Sequence, residues 1–302
     1  MTPTQILNPT QREKSKTYLV DKLREAVFPW REQGYPGVSN TTKRLLNFWF
    51  KEDHRVDNNL FSFWYCQREA IETLIYVYEV MKLRKFIDLA REFGKGPIQA
   101  YDPSYDQYPL YAFKMATGSG KTFVMALSIV WSYFNWKFEN KEDFTSKFLI
   151  ISPNVIVYDR LKRDFSELKI FKQYPFIPPE WQEKFNLKVI LKEDPIYTIP
   201  EEVLFLTNIQ QLEERKSKKK ETEEFVDEIL KLPTVSNISD IAQSNRIKEV
   251  LTNCPNIIIL KDEAHHIYSF EKAWKKILYN PCIWISYRRN HAMLKLACFC
   301  FL

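Results

Sequence analysis

The residues best suited to chemistry are grouped in a short stretch, "ATGSGKT", which holds two of the chain's six glycines. Gly118 and Gly120 stand just before Lys121 and Thr122, between an apolar run and a helix-compatible run. A strand, a loop and a helix in that order direct backbone N–H groups and a helix N-terminus at one point, which makes an anion site. Glycine is needed because the loop must approach a phosphate closely, in conformations that a side chain obstructs. The stretch therefore predicts a phosphate-binding loop.

The side chains of this loop suit a nucleoside triphosphate. Lys121 can neutralise the β- and γ-phosphates, and the Thr122 hydroxyl can ligate Mg²⁺. The residues predicted to hold ATP in the loop itself are Thr117, Gly118, Ser119, Gly120, Lys121 and Thr122. The pattern G-x-x-x-x-G-K-[ST] requires a further glycine where this chain has Met115, so the match rests on the core TGSGKT.

A second group of chemically capable residues follows the apolar run "NIIIL", in "KDEAHH". Carboxylates at the carboxyl end of a parallel strand face the same crevice as a phosphate loop. There Asp262 can hold Mg²⁺ through water, and Glu263 can orient and deprotonate the attacking water. An acidic pair after an apolar strand is common by itself. Together with the glycine motif, in this order, it predicts nucleoside triphosphate hydrolysis.

The elements that must position these groups can be read from the hydrophobic pattern. Four short apolar runs, "FLIISP" (148–153), "LKVIL" (187–191), "VLFLTN" (203–208) and "IIIL" (257–260), are bounded by polar or turn residues. Separated by helix-compatible segments, they predict buried parallel strands in an α/β sheet. Apolar residues recur at helical spacing over 61–86, and residues 1–60 are predicted to be mostly helical, with a turn at "GYPGVSNTT". The charge run 213–224 predicts a surface excursion.

The motifs resemble those of a known family. "MATGSGKT" and "DEAH" look like motifs I and II of superfamily 2 helicases, with His265 at the place of the DEAH-box histidine. "FWYCQREAIETLIY" resembles the adenine-recognising Q motif, with Gln67 in the glutamine position, and "FLIISPNVIVYDRLKRDF" resembles motif Ia. The combination over about residues 60–275 is similar to the Res subunit of type III restriction enzymes and the DEAD/DEAH-box proteins grouped with it.

The resemblance implies a RecA-like P-loop domain with a mostly parallel sheet flanked by helices, preceded by a helical N-terminal region. It implies ATP and Mg²⁺ as cofactors, catalytic roles for Lys121, Asp262, Glu263 and His265, and coupling of hydrolysis to DNA translocation. A nuclease function and a modification (methyltransferase) subunit as partner are implied for the intact enzyme. The expected divisions are a helical region at 1–60, the motor domain at 61–278 and an atypical tail at 279–302.

Two sets of polar residues are predicted binding residues with a second interpretation open. The Gln67 amide could accept from and donate to an adenine edge, or belong to an exposed helix. Polar residues after two strands could hold a nucleic-acid phosphate without reading sequence, or merely cap helices; they are Ser152, Asn154, Tyr158, Thr207 and Asn208. The resemblance favours DNA contact for this second set.

Composition limits the class of protein only loosely. Lys plus Arg total 44 against 38 Asp plus Glu, a net charge of +6, which permits a polyanionic partner without demanding one. The five cysteines form no CxxC pair, so no zinc or redox motif is visible. With no secretion signal and no apolar span, a cytoplasmic location without membrane contact is expected.

Only 36 residues follow His266, too few for a second motor domain, so the chain is expected to be a fragment or truncated product. Its ATPase activity alone should then be weak, because a second domain would supply arginines that stabilise the transition state. The alternative is a catalytically incomplete module that only binds nucleotide or nucleic acid. A P-loop ATPase unrelated to nucleic acid is a third hypothesis.

Overall fold

The computed structural model describes residues 14–15, 18–94, 109–116, 118–195, 198–208 and 256–262, and the backbone of 295–299. The helices are α1 (Tyr18–Glu32), α2 (Asn40–Lys51), α3 (Tyr65–Ile75), α4 (Phe86–Phe93), α5 (Lys121–Phe138), α6 (Val155–Phe165) and α7 (Lys169–Gln173). A π-helical turn at Tyr76–Val80 follows α3, and 3₁₀ turns lie at Ser166–Leu168 and Pro179–Lys184. The strands are β1 (His54–Val56), β2 (Asn59–Phe61), β3 (Leu110–Lys114), β4 (Lys147–Ser152), β5 (Lys188–Leu191), β6 (Val203–Asn208), β7 (Ile258–Lys261) and β8 (Lys295–Phe299).

Six strands form one sheet in the order β3-β8-β7-β4-β6-β5, and every pair in it is parallel. The four apolar runs of the sequence correspond to β4, β5, β6 and β7, so the prediction of parallel strands is confirmed. Strands β4, β6 and β7 are largely buried, as predicted, whereas the edge strand β5 is only partly buried. Because all strands run the same way, the loops after β3 and β7 leave the sheet at the same edge. The fold is RecA-like α/β, as predicted.

The helix after β3 is the centre of the hydrophobic core. All residues of α5 from Val124 to Trp136 are buried, including Trp131 and Phe134 at 1% and 0% exposure. A helix that is apolar on every side must be covered on every side. The sheet covers one side of α5, and helices α2 and α3 contact it on another. This packing fixes the helix that begins at Lys121.

The N-terminal helices are built into this core. Trp30, Leu45 and Trp49 belong to the same hydrophobic cluster as Phe148 and Ile258 of the sheet. The helix α2 begins after Ser39, whose hydroxyl accepts a hydrogen bond from the Thr42 N–H at 3.0 Å. Residues 18–60 therefore pack as one body with the sheet, although the division of the chain at residue 60 stays a prediction.

The continuous helix expected over 61–86 is wrong in detail. Residue 61 ends strand β2, and the β1–β2 hairpin turns at Asp57 and Asn58, both with positive φ. The helical stretch is α3 followed by the π-helical turn, and Lys82, with φ of 55°, precedes α4. The helical spacing of apolar residues correctly predicts a helical backbone over 65–80. It does not reveal the left-handed conformation of Lys82, which separates this stretch from α4.

Strand β8 falls within the tail that the sequence set apart at 279–302. It pairs with β3 on one side and β7 on the other, with Ala112 opposite Ala297 and Lys261 also opposite Ala297. The described part of the tail thus completes the sheet between the two motif-bearing strands. The rest of the tail and the charge run 213–224 lie outside the described residues.

Candidate nucleotide site

The glycine loop joins β3 to α5, as the motif requires. Gly118 and Gly120 have φ of +82° and +80°, the left-handed region that side chains disfavour. A Cβ built on Gly120 would lie 2.1 Å from the Gln67 Nε2, whereas one on Gly118 meets nothing within 4 Å. The two glycines are therefore needed for different reasons: Gly118 for its backbone alone, and Gly120 for its backbone and for contact with Gln67.

Hydrogen bonds hold the loop in shape before any ligand arrives. The Ser119 N–H and hydroxyl both donate to the Ala116 carbonyl, at 3.2 and 2.7 Å. Gly120 is the N-cap residue of α5, and Lys121 and Thr122 form the half-buried first turn of that helix. The backbone amides and the helix terminus thus come together at one point, which suits a phosphate group.

Gln67 lies against this loop rather than on an open surface. Its side chain is in the first turn of α3, and the residue is 5% exposed. The amide oxygen accepts from the Trp64 N–H at 2.9 Å, and Nε2 donates to the Ser119 carbonyl at 3.0 Å. One N–H and one lone pair of the amide are not used by these bonds. The exposed-helix interpretation is excluded, and recognition of adenine stays a prediction.

A buried ion-pair cluster fixes α3 in the position that brings Gln67 to the loop. Glu72, fully buried, accepts from Arg31 Nε at 2.7 Å, Arg68 Nε at 2.8 Å and the Tyr35 hydroxyl at 2.6 Å. Burial would lower the pKa of Arg31, but the hydrogen bonds and charge of Glu72 outweigh it and raise that pKa. Burial, followed by the Glu72 charge, raises the pKa of Tyr35. The N-terminal helix α1 is thereby locked to α3.

Asp262 lies at the carboxyl edge of the sheet, directly after β7. It is 1% exposed, and its N–H donates to the Ile151 carbonyl at 3.3 Å. Strands β3 and β7 are separated by β8 alone, so their backbones are roughly 10 Å apart. The loop that begins at Met115 leaves this same edge. The fold therefore brings the glycine loop and the predicted metal-binding aspartate to the same edge of the sheet.

The Asp262 carboxylate has a cationic partner that the motifs did not predict. Arg160 Nη2 of α6 lies 2.5 Å from Asp262 Oδ2. The Arg160 side chain is 48% exposed, whereas that of Asp262 is 1% exposed. The aspartate is thus fixed in the protein, while the arginine reaches it from the solvent side.

The chemistry of the predicted metal ligands fits Mg²⁺. A buried carboxylate and a threonine hydroxyl are hard oxygen donors, and Mg²⁺ bound with a nucleotide commonly takes one or two protein ligands plus phosphate oxygens. Within the described ranges, no cluster of three or more His, Cys, Asp or Glu side chains could hold a metal by itself. Asp262 and Thr122 would therefore act together with the triphosphate.

An aromatic-walled cavity of about 190 Å³ lies beside the start of α3. Its walls include Phe50, Phe61, Tyr65 and Arg68. The Phe61 ring is 6.2 Å from that of Phe123, which connects one wall of the cavity to the first turn of α5. The sequence singled out none of these residues as a site, because aromatic side chains at this spacing are typical of a core.

The predicted DNA-binding residues are mostly buried. Ser152, Tyr158, Thr207 and Asn208 are between 0% and 3% exposed. Asn154 is exposed, and its Oδ1 accepts from the Val157 N–H at 2.9 Å as the cap of α6. The capping interpretation holds for Asn154 in this structure. DNA contact by the set stays a prediction, and the four buried side chains would have to become exposed to take part.

Tyr158 has a structural partner that explains its burial. Its hydroxyl donates to Glu193 Oε2 at 2.7 Å and accepts from the Lys192 N–H at 3.3 Å. Burial, followed by this hydrogen bond, raises the pKa of Tyr158. Burial alone would raise the pKa of Glu193, but the Tyr158 bond and the Lys162 charge outweigh it and lower that pKa. The pair ties α6 to the turn after β5.

Three predicted site residues, Thr117, Glu263 and His265, lie outside the described residues. The other predicted nucleotide-binding residues are described. Gly118, Ser119 and Gly120 are consecutive in the loop, and Gln67 contacts the loop through its hydrogen bond to Ser119. Lys121 and Thr122 follow in the same turn. Arg160 was missed because no motif position identifies it. A basic residue on the exposed face of a helix carries no such signal by itself.

Together, the parallel sheet, the glycine loop after β3 and the aspartate after β7 define a RecA-like, helicase-like nucleotide-binding motor domain. The model of the family described as "Type III restriction enzyme, res subunit" matches residues 60–297, and the chain belongs to this family. Its members are in general ATP-dependent, helicase-like hydrolases that act on DNA. No curated protein and no solved structure matches the chain. In the described part of the chain, no helix has the length and apolar character needed to cross a membrane.

Proposed function

We propose that this chain binds ATP·Mg²⁺ at the glycine loop and couples its hydrolysis to translocation along DNA, as the motor of a restriction enzyme. The observation that carries the proposal is that both motifs lie at one edge of the sheet. The loop after β3 and Asp262 after β7 leave the same edge of one parallel sheet, with only β8 between their strands. A triphosphate seated on the α5 N-terminus would lie within reach of both.

Each residue has a role that its position supports. The loop N–H groups from Gly118 to Gly120 would cradle the phosphates, and Lys121 would neutralise the γ-phosphate. Thr122 and Asp262 would hold Mg²⁺, which spreads the negative charge that develops during phosphoryl transfer. Glu263, one residue beyond Asp262, is the proposed base that orients water.

We place the adenine base in the aromatic cavity at the start of α3, whose wall residues Tyr65 and Arg68 flank Gln67 in the chain. A volume of about 190 Å³ accommodates a purine, and the Phe61 and Tyr65 rings could stack on it. The unused N–H and lone pair of the Gln67 amide suit the donor and acceptor on an adenine edge. Replacing Tyr65 with alanine should then weaken binding of mant-ATP but leave binding of inorganic triphosphate unchanged. Equal weakening of both would argue against this placement.

DNA would meet the exposed face of α6. Ile156 is 82% exposed, and Arg160 and Arg163 follow it at helical spacing on the same exposed side. A cationic face of this kind holds phosphates without reading sequence. An exposed N-cap at Asn154 adds an amide and the positive end of the helix.

The proposal is tested by ATP hydrolysis and DNA binding on the full chain. Wild type should hydrolyse ATP faster with duplex DNA, and Lys121→Ala should abolish turnover and weaken mant-ATP binding at least ~10-fold through loss of a charged contact. Lys172→Ala, an exposed lysine on α7, is the control and should behave as wild type.

The alternatives give different results in the same experiment. Turnover that DNA does not change would indicate an ATPase unrelated to nucleic acid. DNA binding that neither ATP nor Glu263→Gln alters would indicate a module that only binds nucleic acid. Absence of any nucleotide binding by wild type would refute the proposal.

A further inference from the structure

The ion pair between Arg160 and Asp262 joins the two proposed binding sites. Asp262 belongs to the metal side of the nucleotide crevice, and Arg160 belongs to the exposed face of α6. The two residues lie 102 positions apart in the chain, with Nη2 and Oδ2 separated by 2.5 Å. Binding of a ligand at one site can therefore alter the affinity of the other site through this ion pair.

The two partners differ in their freedom to move. The Asp262 side chain is 1% exposed, and its backbone N–H is bonded to Ile151, so the carboxylate cannot leave the crevice. The Arg160 side chain is 48% exposed at the end of a long flexible stem. Only the guanidinium can swing away, and it would swing toward solvent, on the face it shares with Ile156 and Arg163.

The carboxylate cannot serve two cations equally well. A divalent ion held by Asp262, even through water, brings two positive charges close to a guanidinium already bonded to Oδ2. The repulsion favours departure of Arg160 when the metal nucleotide binds. Once displaced, a guanidinium suits a nucleic-acid phosphate, because its forked N–H groups match two phosphate oxygens.

We propose that Arg160 is a positioning residue with two partners: it neutralises Asp262 in the nucleotide-free chain and pairs with a DNA phosphate once Mg²⁺·nucleotide has displaced it. This inference rests on the proposed function and adds a regulatory contact to it. Because coupling between two binding sites is reciprocal, DNA that captures Arg160 strengthens metal binding at Asp262, and metal binding strengthens the hold on DNA.

The test measures binding and does not depend on turnover. Mant-ATP fluorescence is titrated with MgCl₂, with and without a 30-base-pair duplex, for the full chain and three variants. For wild type, DNA should lower the MgCl₂ concentration at half-saturation about 3- to 10-fold, the range of modest coupling between sites. For Arg160→Gln, that concentration should already be low without DNA, and DNA should no longer change it.

Two further variants separate coupling from a general effect of charge or folding. Arg160→Lys keeps the positive charge and should stay close to wild type without DNA. Arg163→Gln removes an exposed positive charge one turn along the same face. It should weaken DNA binding without lowering the magnesium requirement in the absence of DNA. Thermal unfolding of each variant shows whether it is folded.

The outcomes are distinct. A magnesium requirement that Arg160→Gln leaves unchanged or raises would overturn the inference, since a purely structural arginine gives that result. If Arg160→Gln does not fold, a wild-type requirement that DNA does not change would overturn it as well. If wild type binds no mant-ATP at any magnesium concentration, both the proposed function and this inference are wrong.

Discussion

Replacing the two loop glycines with alanine should have unequal costs. Gly118→Ala introduces a side chain into open space, so its cost is the left-handed backbone alone, about 1–2 kcal/mol. Gly120→Ala carries the same backbone cost and places Cβ 2.1 Å from the Gln67 Nε2. The Gln67 amide must then move, which breaks its bonds to Trp64 and Ser119 at about 1 kcal/mol each. The expected total is about 3–4 kcal/mol.

The assay is urea unfolding without nucleotide, so that phosphate binding does not enter. Gln67→Ala alone should lose the two hydrogen bonds, about 2 kcal/mol. In a chain that already carries Gln67→Ala, Gly120→Ala should add only its backbone cost, because the new Cβ no longer collides with the Gln67 amide. The double-mutant cycle should give a coupling of about 2 kcal/mol, because the double variant loses about 3–4 kcal/mol whereas the two single losses add to about 5–6 kcal/mol. Equal losses for Gly118→Ala and Gly120→Ala, or strict additivity with Gln67→Ala, would refute the contact between Gln67 and the loop.

Two further predictions concern ion pairs of different burial. Glu72→Leu should cost about 3–5 kcal/mol in urea unfolding because it leaves the buried Arg31 without its carboxylate. Glu180→Ala, which breaks a largely exposed pair, should cost no more than about 1 kcal/mol, and similar losses for both would contradict the assignment. The pKa of Glu193 is lowered from its ordinary value of 4.5, so its stabilising effect is present above that pH and lost as the pH falls through the folded-state pKa. Glu193→Gln should therefore be less stable than wild type at neutral pH and equal to it once the pH is well below the folded-state pKa, and a difference that persists there would exclude the carboxylate bond to Tyr158 as its cause.

The central strands β4, β6 and β7 were predictable because they are almost wholly buried. Runs such as "FLII" and "VLFL" have apolar residues on both faces, a pattern that a surface strand does not show. The glycine loop was predictable for a different reason, since a chain with only six glycines places two of them, both with positive φ, within three positions of each other. In both cases the local sequence and the global fold impose the same requirement.

The polar residues of the site were harder to predict. Ser152 and Tyr158 stand at positions that suggest surface contacts, yet the fold buries both. Their exposure depends on how α6 packs on the turn after β5, through Tyr158 and Glu193, which no local pattern encodes. Arg160 and Asp262 meet only because β7 and α6 are adjacent in space. A sequence motif identifies functional residues that lie on a single strand, loop or helix. It does not identify a contact between residues on two elements that are far apart in the sequence, such as Arg160 and Asp262.

Strand β8 is a further element that the local sequence did not predict. Its residues, "KLACF", lie in the tail at 279–302, which the sequence marked only as atypical. Their place between β3 and β7 is decided by two strand pairings at once. A five-residue strand gains its stability from neighbours, so its own sequence needs no strong preference.

The central claim is that Thr122 and Asp262 share one metal ion with a bound triphosphate. Electron paramagnetic resonance of preformed Mn²⁺·ATP, used in place of Mg²⁺·ATP, measures this directly, because the spectrum of the complex changes when the protein immobilises it. Adding wild type should change that spectrum, and Thr122→Val and Asp262→Asn should each weaken the binding of Mn²⁺·ATP at least ~10-fold. Asp159→Asn, an exposed carboxylate on α6, should have no effect. Binding of Mn²⁺·ATP to Asp262→Asn as tight as to wild type would contradict the account.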